Sequence, residues 1–384
     1  MRDRRVATIG LILAMAGAAP GQEPELDRLK GHVATLASPE FEGRRDAGAV
    51  KARVYLVEQF KRLGLAPAFG DSYTQDVQGP GAEGVIGANV GAKIVGSDPS
   101  VRDRWVILGV HYDHLGRRGE VIYPGADDNA SGVAMMLEAA RSIAQGGEKP
   151  RRSVMFVGFD LEERGPKGEF GLRGSRYFAR NPPVPLDRVG LFVTADMIGR
   201  SLGGIRGDLV FALGSEREPA VRPWIAREAE GKPVRVGLLG SDILGIDRSD
   251  YGPFRTRQVP YLFFTTGENP RYHSPEDRAE TLDYPKLEAI SRVILGVVRE
   301  AARSEAELTW NPSPGPSVAE ALTLRDVFRT LIEHRDELKV GPYQLAMMRG
   351  AIEAVDGIAG RDAITPAERA GLIRVAQIVL FTVF

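Results

Sequence analysis

Imidazole and carboxylate side chains gather in a few short segments of this sequence. The chain contains only five histidines and no cysteine, so a metal site would have to use His, Asp and Glu. These side chains bind divalent cations, and a carboxylate that binds none can move a proton during hydrolysis. The segments that combine them are HYDH at 111–114, GADDNASG at 125–132, DLEE at 160–163, ADMIGR at 195–200 and YHSPED at 272–277.

Four of these segments lie at or beyond the ends of apolar runs. The runs cover residues 105–110, 154–159, 189–194 and 259–265. Near-continuous apolarity is typical of strands that are covered on both faces, as in a parallel α/β sheet. In such a sheet, ligands bind beyond the carboxyl ends of the strands. We therefore expect the polar segments to converge on one crevice of an open, mostly parallel α/β sandwich.

Individual residues in these segments suit different tasks. His111 and Asp113 are two residues apart in an extended segment, so Asp113 can support a group beside a metal that His111 binds. Glu162 and Glu163 must point differently, so one can bind a metal while the other moves a proton. Asp196 follows an apolar run, where a carboxylate is costly unless it is paired or metal-bound. Taken alone, each motif also fits an ordinary role such as a solvated acid or a helix N-cap.

Composition narrows the class of protein. At 384 residues, with 43% hydrophobic and 26% charged residues, the chain is long enough for a large α/β domain with extensions and is neither disordered nor fibrous. Lys and Arg total 50 against 51 Asp and Glu, which gives no indication of a nucleic-acid partner. The absence of cysteine excludes disulfides and a thiol nucleophile.

The two ends of the chain differ in composition from its middle. Residues 1–21 combine basic residues, a short apolar run and small residues, which predicts a signal peptide and export to the periplasm or medium. An uncleaved anchor is the alternative, although the run is short for a membrane span. After cleavage we expect no membrane span. The Pro-rich residues 305–317 predict a linker, and residues 318–384 predict a helical extension.

Several helices are predicted from apolar spacing and capping residues. Residues 26–38 and 49–65 are expected to be helical ahead of the sheet, and residues 131–144 between the first two central strands. The capping box at 365–368, TPAE, predicts the start of a last helix. In the second helix, the apolar positions with near-helical spacing are Val50, Val54, Leu56, Phe60 and Leu63.

In their order and spacing, the motifs resemble those of the co-catalytic dizinc aminopeptidases, the family that also holds glutamate carboxypeptidase. The resemblance spans about residues 28–300 and includes LASPEFEGRR and Asn89. It implies a three-layer α/β sandwich with a mostly parallel mixed sheet, of the phosphorylase/hydrolase-like kind, as a catalytic domain over residues 26–304. It also implies a zinc aminopeptidase that acts on peptide or protein N-termini, which the signal-peptide pattern would make secreted or periplasmic.

The same resemblance implies two zinc ions per chain. His111 and Asp196 would bind one ion, and Glu163 and His273 would bind the other. Asp128 would bridge the two. Two histidines and three carboxylates are a ligand set that suits zinc.

The remaining roles carried over from the family are catalytic. Glu162 would be the general base that takes a proton from a water molecule held by the metal ions, which leaves hydroxide, and Asp113 would support the histidine ligand. Tyr272 is a candidate donor to the oxyanion. The peptide bond between Asp128 and Asn129 is expected to be cis.

The sequence departs from the family at two places. Residues 166–170 interrupt a compact Glu-Glu-x-Gly-Leu run and are expected to reshape or partly cover the crevice. Where many relatives have Ser-Asp-His, this chain has Ser249, Asp250 and Tyr251, which changes the contacts expected beside the pocket.

Other activities remain alternatives. A glutaminyl cyclase would use a single zinc ion, and a non-catalytic binding relative would need no general base. A serine hydrolase is suggested by GRSLG at 199–203, which matches a nucleophile elbow but precedes poor helix sequence. A metallo-carboxypeptidase would need a basic cluster for the substrate carboxylate. The candidates for that cluster are Arg200, Arg255, Arg257 and Arg271.

Overall fold

A mixed β-sheet occupies the centre of the fold. The computed structural model describes residues 23–163, 171–205, 207–358, 360–361 and 363–383. In chain order its strands are β1 (Ala66–Pro67), β2 (Thr74–Gln78), β3 (Val85–Ile94), β4 (Trp105–His111), β5 (Gly116–Arg118), β6 (Val121–Tyr123), β7 (Ser153–Phe159), β8 (Val189–Ala195), β9 (Leu209–Leu213), β10 (Arg235–Leu239) and β11 (Tyr261–Thr265). Strands β5 and β6 pair only with each other within these residues, and the other strands form the sheet.

The four apolar runs form adjacent strands at the middle of the sheet, in the order β7, β4, β8, β11. The pairings between these neighbours are all parallel. Strand β3 joins β7 in the antiparallel direction, and β9 joins β11 in the same way. The predicted mostly parallel mixed sheet is therefore confirmed, and the carboxyl ends of its central strands lie at one edge.

Helices connect and cover the strands. In chain order, the α-helices of the described residues are α1 (Leu26–Leu36), α2 (Ala47–Arg62), α3 (Gly132–Ala144), α4 (Arg173–Arg180), α5 (Arg222–Ala229), α6 (Tyr251–Thr256), α7 (Tyr284–Arg303), α8 (Val318–Glu333), α9 (Pro342–Asp356) and α10 (Pro366–Val383).

Two apolar cores lie on opposite faces of the sheet. Val106 and Phe156 belong to one core, with side chains of α1, α2, α3 and α7. Their neighbours Ile107 and Met155 belong to the other, with side chains of α4, α6 and the three C-terminal helices. Successive side chains of a strand point to opposite faces, so β4 and β7 supply both cores. The expected three-layer sandwich is confirmed.

Helix α2 buries only part of the apolar stripe that the spacing indicated. Leu56 and Phe60 are fully buried as predicted, whereas Val50 and Val54 are 49% and 52% exposed. Ala49 and Ala52 complete the buried stripe with Leu56, at spacings of three and four residues. Alanine is small and weakly hydrophobic, so the larger valines dominated the sequence pattern although they lie beside the contact face.

The C-terminal helices pack against the β10 end of the sheet. Helix α8 contacts β10, and the Glu320 carboxylate accepts a hydrogen bond of 2.7 Å from the Gly240 backbone N–H. Arg369 of α10 forms an ion pair of 2.6 Å with the same carboxylate. Thr365 and Glu368 form the predicted capping box, with reciprocal hydrogen bonds of 3.2 and 2.7 Å.

Two predicted features, the signal peptide at 1–21 and the interruption at 166–170, lie outside the described residues. In the part of the chain that is described, every helix is too short or too polar to span a membrane.

Candidate metal centre

The polar segments lie at the carboxyl edge of the central strands. His111 is the last residue of β4, and Asp160 follows β7 directly. Asp196 follows β8 in the same way, while His273 lies on the loop after β11. The segment with Asp128 leads into α3. The strand order therefore brings together loops that are far apart in the chain.

The first group of donor atoms, called the His111 position, consists of His111, Asp128 and Asp196. The Nε2 atom of His111 lies 3.4 Å from an Asp128 oxygen and 3.4 Å from an Asp196 oxygen. All three side chains are buried. Among the described residues, neither His111 Nε2 nor Asp196 Oδ1 has a hydrogen-bond partner. An unpaired buried polar atom costs about 1–3 kcal/mol, so these residues fit a cation that would bind all of them.

The second group, called the Glu163 position, consists of Asp128, Glu163 and His273. The Nε2 atom of His273 lies 3.2 Å from Asp128 Oδ2 and 3.1 Å from Glu163 Oε1. Asp128 directs one oxygen to each position, as a bridging ligand would. These spacings suit a zinc ion about 2.0–2.2 Å from each donor atom. The structure thus brings together all five residues that the family resemblance indicates as ligands.

His114 also reaches this centre, although no role was predicted for it. Its Nδ1 atom lies 3.0 Å from Glu163 Oε1 and 3.7 Å from Asp128 Oδ2. The side chain is fully buried. The sequence signal that could have identified it is its spacing of three residues from His111 within HYDH.

Asp113 holds the backbone of the neighbouring acidic loop. Its carboxylate accepts hydrogen bonds of 3.0 and 3.2 Å from the backbone N–H groups of Glu162 and Glu163. The same carboxylate lies 3.7 Å from His111 Nδ1, which is longer than a hydrogen bond. Asp113 therefore lies beside the histidine as expected, but its hydrogen bonds orient the two glutamates.

Glu162 belongs to neither donor group and lies beside both. Burial raises the pKa of Glu162 well above the usual value for a glutamate. The carboxylates of Glu163 and Asp196 raise this pKa further, whereas His111 lowers it. A carboxyl group in such surroundings favours the protonated state until cations bind nearby.

Tyr272 lies next to the Glu163 position. Its ring stacks on the His273 ring, with centroids 3.8 Å apart and planes at 24°. Burial raises the pKa of Tyr272 far above that of a free tyrosine, and the nearby carboxylates, with Asp128 foremost, add to this. The hydroxyl therefore keeps its proton and can act as a hydrogen-bond donor.

Comparison with known proteins identifies the family. Residues 89–298, more than half of the chain, match the family described as "Peptidase family M28". The chain belongs to Peptidase family M28. The family resemblance read from the motifs is therefore confirmed.

Sequence relatives of this M28 chain include both uncharacterised and named proteins. It is 31% identical over 218 residues to "Uncharacterized protein YfbL" of Escherichia coli, covering 50% of this chain and 65% of that protein. It is 25% identical over 206 residues to "Aminopeptidase YwaD" of Bacillus subtilis, covering 52% and 42%. The chain thus spans less than two thirds of the length of these relatives.

Solved structures share the M28 fold at low sequence identity. LapB from Legionella pneumophila matches with a TM-score of 0.59 at 20% identity, over 74% of each chain. A Porphyromonas gingivalis glutaminyl cyclase matches with a TM-score of 0.57 at 19% identity, over 72% of this chain and 98% of that one. The fold is therefore shared with at least one protein that is named as a cyclase.

The M28 chain holds Asp128 in place through a buried carboxylate that the sequence analysis did not single out. Asp277 accepts hydrogen bonds of 2.9 and 3.1 Å from the backbone N–H groups of Asp127 and Asp128. It also forms a buried ion pair of 2.7 Å with Arg200. The peptide bond between Asp128 and Asn129 is cis, as the resemblance implied.

Replacing Asp277 with asparagine is expected to weaken zinc binding about 10- to 100-fold, because an amide presents only one acceptor oxygen to the two N–H groups. The uncompensated charge of Arg200 should also lower the melting temperature. Zinc titration and thermal denaturation of Asp277→Asn measure both effects. Glu276→Gln, at the exposed neighbouring position, is the control. Unchanged zinc affinity in Asp277→Asn would show that this carboxylate does not position the metal ligands.

A buried arginine ties the same loops together. The guanidinium of Arg44, in the GRR segment, is fully buried and donates hydrogen bonds to backbone carbonyl oxygens from three parts of the chain. These acceptors are Leu36, Tyr112, Pro124, Gly125 and Asp128, at 2.6–3.2 Å. Burial lowers the pKa of Arg44 to about 10. Arg44 therefore holds the backbone around the M28 centre and, within the described residues, forms no hydrogen bond with the metal-binding side-chain atoms.

Two other features of the sequence have structural roles. Tyr251, at the second place where the sequence departs from the family, is buried and stacks on Tyr261 and Phe263 with ring centroids 5.2 and 4.9 Å apart. Ser201, in the possible nucleophile elbow, is followed by a short 3-10 turn at Leu202–Gly204. A nucleophile elbow leads into a helix, so this segment does not fit a serine hydrolase.

Proposed function

We propose that this chain is an exported metal-dependent aminopeptidase that hydrolyses the first peptide bond of a peptide or protein. One zinc ion would bind at the His111 position and one at the Glu163 position. The observation that carries the proposal is the pair of donor groups that share Asp128, next to the separate carboxylate of Glu162.

Zinc ions bound there would lower the pKa of a water molecule and polarise the scissile carbonyl. Glu162 would accept a proton from the attacking water and pass it to the leaving amine. The hydrogen bonds from the Glu162 and Glu163 backbone to Asp113 keep this general base oriented. Tyr272, held protonated by its surroundings, would donate to the developing oxyanion.

Two of the four arginines that a carboxypeptidase could use are engaged elsewhere. Arg200 forms its buried ion pair with Asp277, and Arg255 pairs with Asp247 at 3.0 Å. Neither guanidinium is free to bind a substrate carboxylate. This arrangement removes two of the four candidates for a cluster that would bind a substrate C-terminus.

A second donor group favours a two-metal hydrolase over a glutaminyl cyclase. A single-zinc enzyme needs one set of ligands, whereas here the His111 and Glu163 positions each offer three donor atoms within bonding range of a common ion. The likeness to "Aminopeptidase YwaD" supports the same choice. Export is supported by the signal-peptide pattern of residues 1–21.

The test uses two versions of one peptide that begins with leucine, with a free and an acetylated N-terminus. Each is incubated with the mature protein with and without a chelator, and the products are identified by mass. We expect the free peptide alone to lose its first residue, and the chelator to abolish this reaction. Cleavage from the carboxyl end would replace the proposal by a carboxypeptidase, and cyclisation of an N-terminal glutamine peptide would replace it by a cyclase.

A further inference from the structure

We propose that His114 is a fourth protein ligand of the Glu163 position, which makes the metal centre asymmetric. The Glu163 position would have four protein ligands, while the His111 position would have three. The inference rests on the proposed function in one respect, that zinc ions occupy both positions.

The first support is geometric. His114 Nδ1 is 3.0 Å from Glu163 Oε1 and 3.7 Å from Asp128 Oδ2, the same two oxygens that face His273 Nε2 at 3.1 and 3.2 Å. The two imidazole rings meet at a steep angle, with centroids 5.8 Å apart and planes at 64°. Donor atoms at these spacings can surround one ion at about 2.0–2.2 Å.

The second support is that the His114 side chain has no hydrogen-bond partner among the described residues. The ring is fully buried, and this holds for both of its nitrogens. A buried imidazole in that state carries a desolvation cost that a metal bond to Nδ1 would offset. His114 would then gain its polar contact only in the loaded centre.

The third support is that the ring is held in this orientation. Gly125 lies against it, so that a Cβ atom added there would be 2.5 Å from ring atoms of His114. On the other side of the residue, the backbone N–H of His114 donates to the Arg44 carbonyl at 3.2 Å. The loop therefore presents Nδ1 to the carboxylates and cannot turn the ring into solvent without moving its neighbours.

The ligand count predicts unequal binding at the two positions. Each has the shared Asp128 and one carboxylate of its own, Glu163 or Asp196, so the negative charge is divided equally. The His111 position has one imidazole, whereas the Glu163 position would have two, from His114 and His273. Four protein ligands are typical of a tightly held ion, and three with an open place are typical of a catalytic one.

A hydrogen bond from His114 to Glu163 is the rival explanation, in which His114 only positions the carboxylate. His114 Nδ1 lies 3.0 Å from Glu163 Oε1, but the two groups are not oriented for a hydrogen bond. Nδ1 has no hydrogen-bond partner among the described residues. A test must therefore detect metal coordination itself, in addition to any loss of function.

The first experiment measures zinc release from the full mature chain. Zinc-loaded protein is dialysed against chelators of increasing strength, and bound zinc is measured by mass spectrometry. We expect wild type to lose one ion readily and the other only to a strong chelator. In His114→Ala the tightly held ion should weaken roughly 100-fold, so that both leave together. His32→Ala, which removes another largely buried histidine bonded to Tyr55, should keep the wild-type pattern.

A second variant makes coordination visible without relying on stability. The chain has no cysteine, so His114→Cys introduces its only thiol. Because Nδ1 is the ring nitrogen nearer the backbone, a cysteine sulfur, with a metal bond of about 2.3 Å, can reach the same ion. Cobalt-loaded His114→Cys should show a thiolate-to-cobalt charge-transfer band in the near ultraviolet that wild type lacks.

The outcomes separate this inference from the proposed function. Two-step zinc release that is unchanged in His114→Ala, or cobalt bound by His114→Cys without the band, would overturn the ligand role of His114. If wild type binds two zinc ions unequally and His114→Ala removes the difference, the ligand role of His114 stands, whether or not a peptide is cleaved. A lack of cleavage would then defeat only the aminopeptidase proposal. Wild type that binds no zinc would overturn both.

Discussion

Replacing Glu162 with glutamine is expected to lower kcat by about 100- to 10,000-fold while both zinc ions stay bound. Glutamine keeps the size of the side chain but cannot accept and return a proton. Glu162 contributes no atom to either donor group, so metal content should not change. Activity on a peptide with a free N-terminus and zinc per chain are the two quantities to measure.

The adjacent residue supplies a matched control for this experiment. Glu163 Oε1 lies 3.1 Å from His273 and 3.0 Å from His114, so Glu163→Gln should lose zinc as well as activity. The same chemical change at neighbouring residues would then have two different signatures. Full turnover by Glu162→Gln would remove this residue from the mechanism, and zinc loss in Glu162→Gln would make it a ligand.

Replacing Arg44 with methionine is expected to lower the free energy of unfolding by about 3–5 kcal/mol. Methionine fills much of the space of the arginine stem but donates no hydrogen bond. The carbonyl oxygens of Tyr112, Gly125 and Asp128, among others, would remain buried without their donor. Since each kcal/mol shifts the melting temperature by about 1–2 °C in a domain of more than 250 residues, a decrease of roughly 4–8 °C should be seen.

Arg62→Met is the control for loss of an arginine in the same part of the chain. Arg62 is exposed and forms only an ion pair within α2, with Glu58 at 3.2 Å, so its removal should change the melting temperature little. Arg44→Lys keeps the charge but cannot reach several carbonyls at once, and should resemble Arg44→Met. A melting temperature within 2–3 °C of wild type for Arg44→Met would contradict a structural role for this cation.

Glu162→Gln and Arg44→Met test two different roles in the metal centre, which are proton transfer and support of the backbone. Glu162 is the first of two adjacent glutamates and would act on protons, so its replacement should leave the fold intact. Arg44 and Asp277 are buried, and they bind the backbone on both sides of Asp128. A bridging ligand must direct its two oxygens to different ions, and these contacts fix the peptide unit that carries it.

The sequence by itself determined the central strands and the residue types at their ends. Continuous apolar runs are a local property, and the rule that ligands bind at the carboxyl edge of an open sheet needs no knowledge of strand order. For the same reason His111, Asp196 and the Glu162–Glu163 pair could be predicted. The family resemblance added Asp128 and His273. Neither residue directly follows an apolar run, so the strand-end rule alone did not indicate them.

Only the tertiary structure decided which further groups support the centre. His114 faces Glu163 because its loop rests on Arg44 and Gly125, and Asp277 meets Asp128 from 149 residues further along the chain. Contacts of this kind depend on the order β7, β4, β8, β11 and on how each loop turns beyond its strand. The spacing of apolar residues in one segment predicts that helix or strand alone. These contacts join segments that are far apart in the sequence, so the pattern within any one segment cannot predict them.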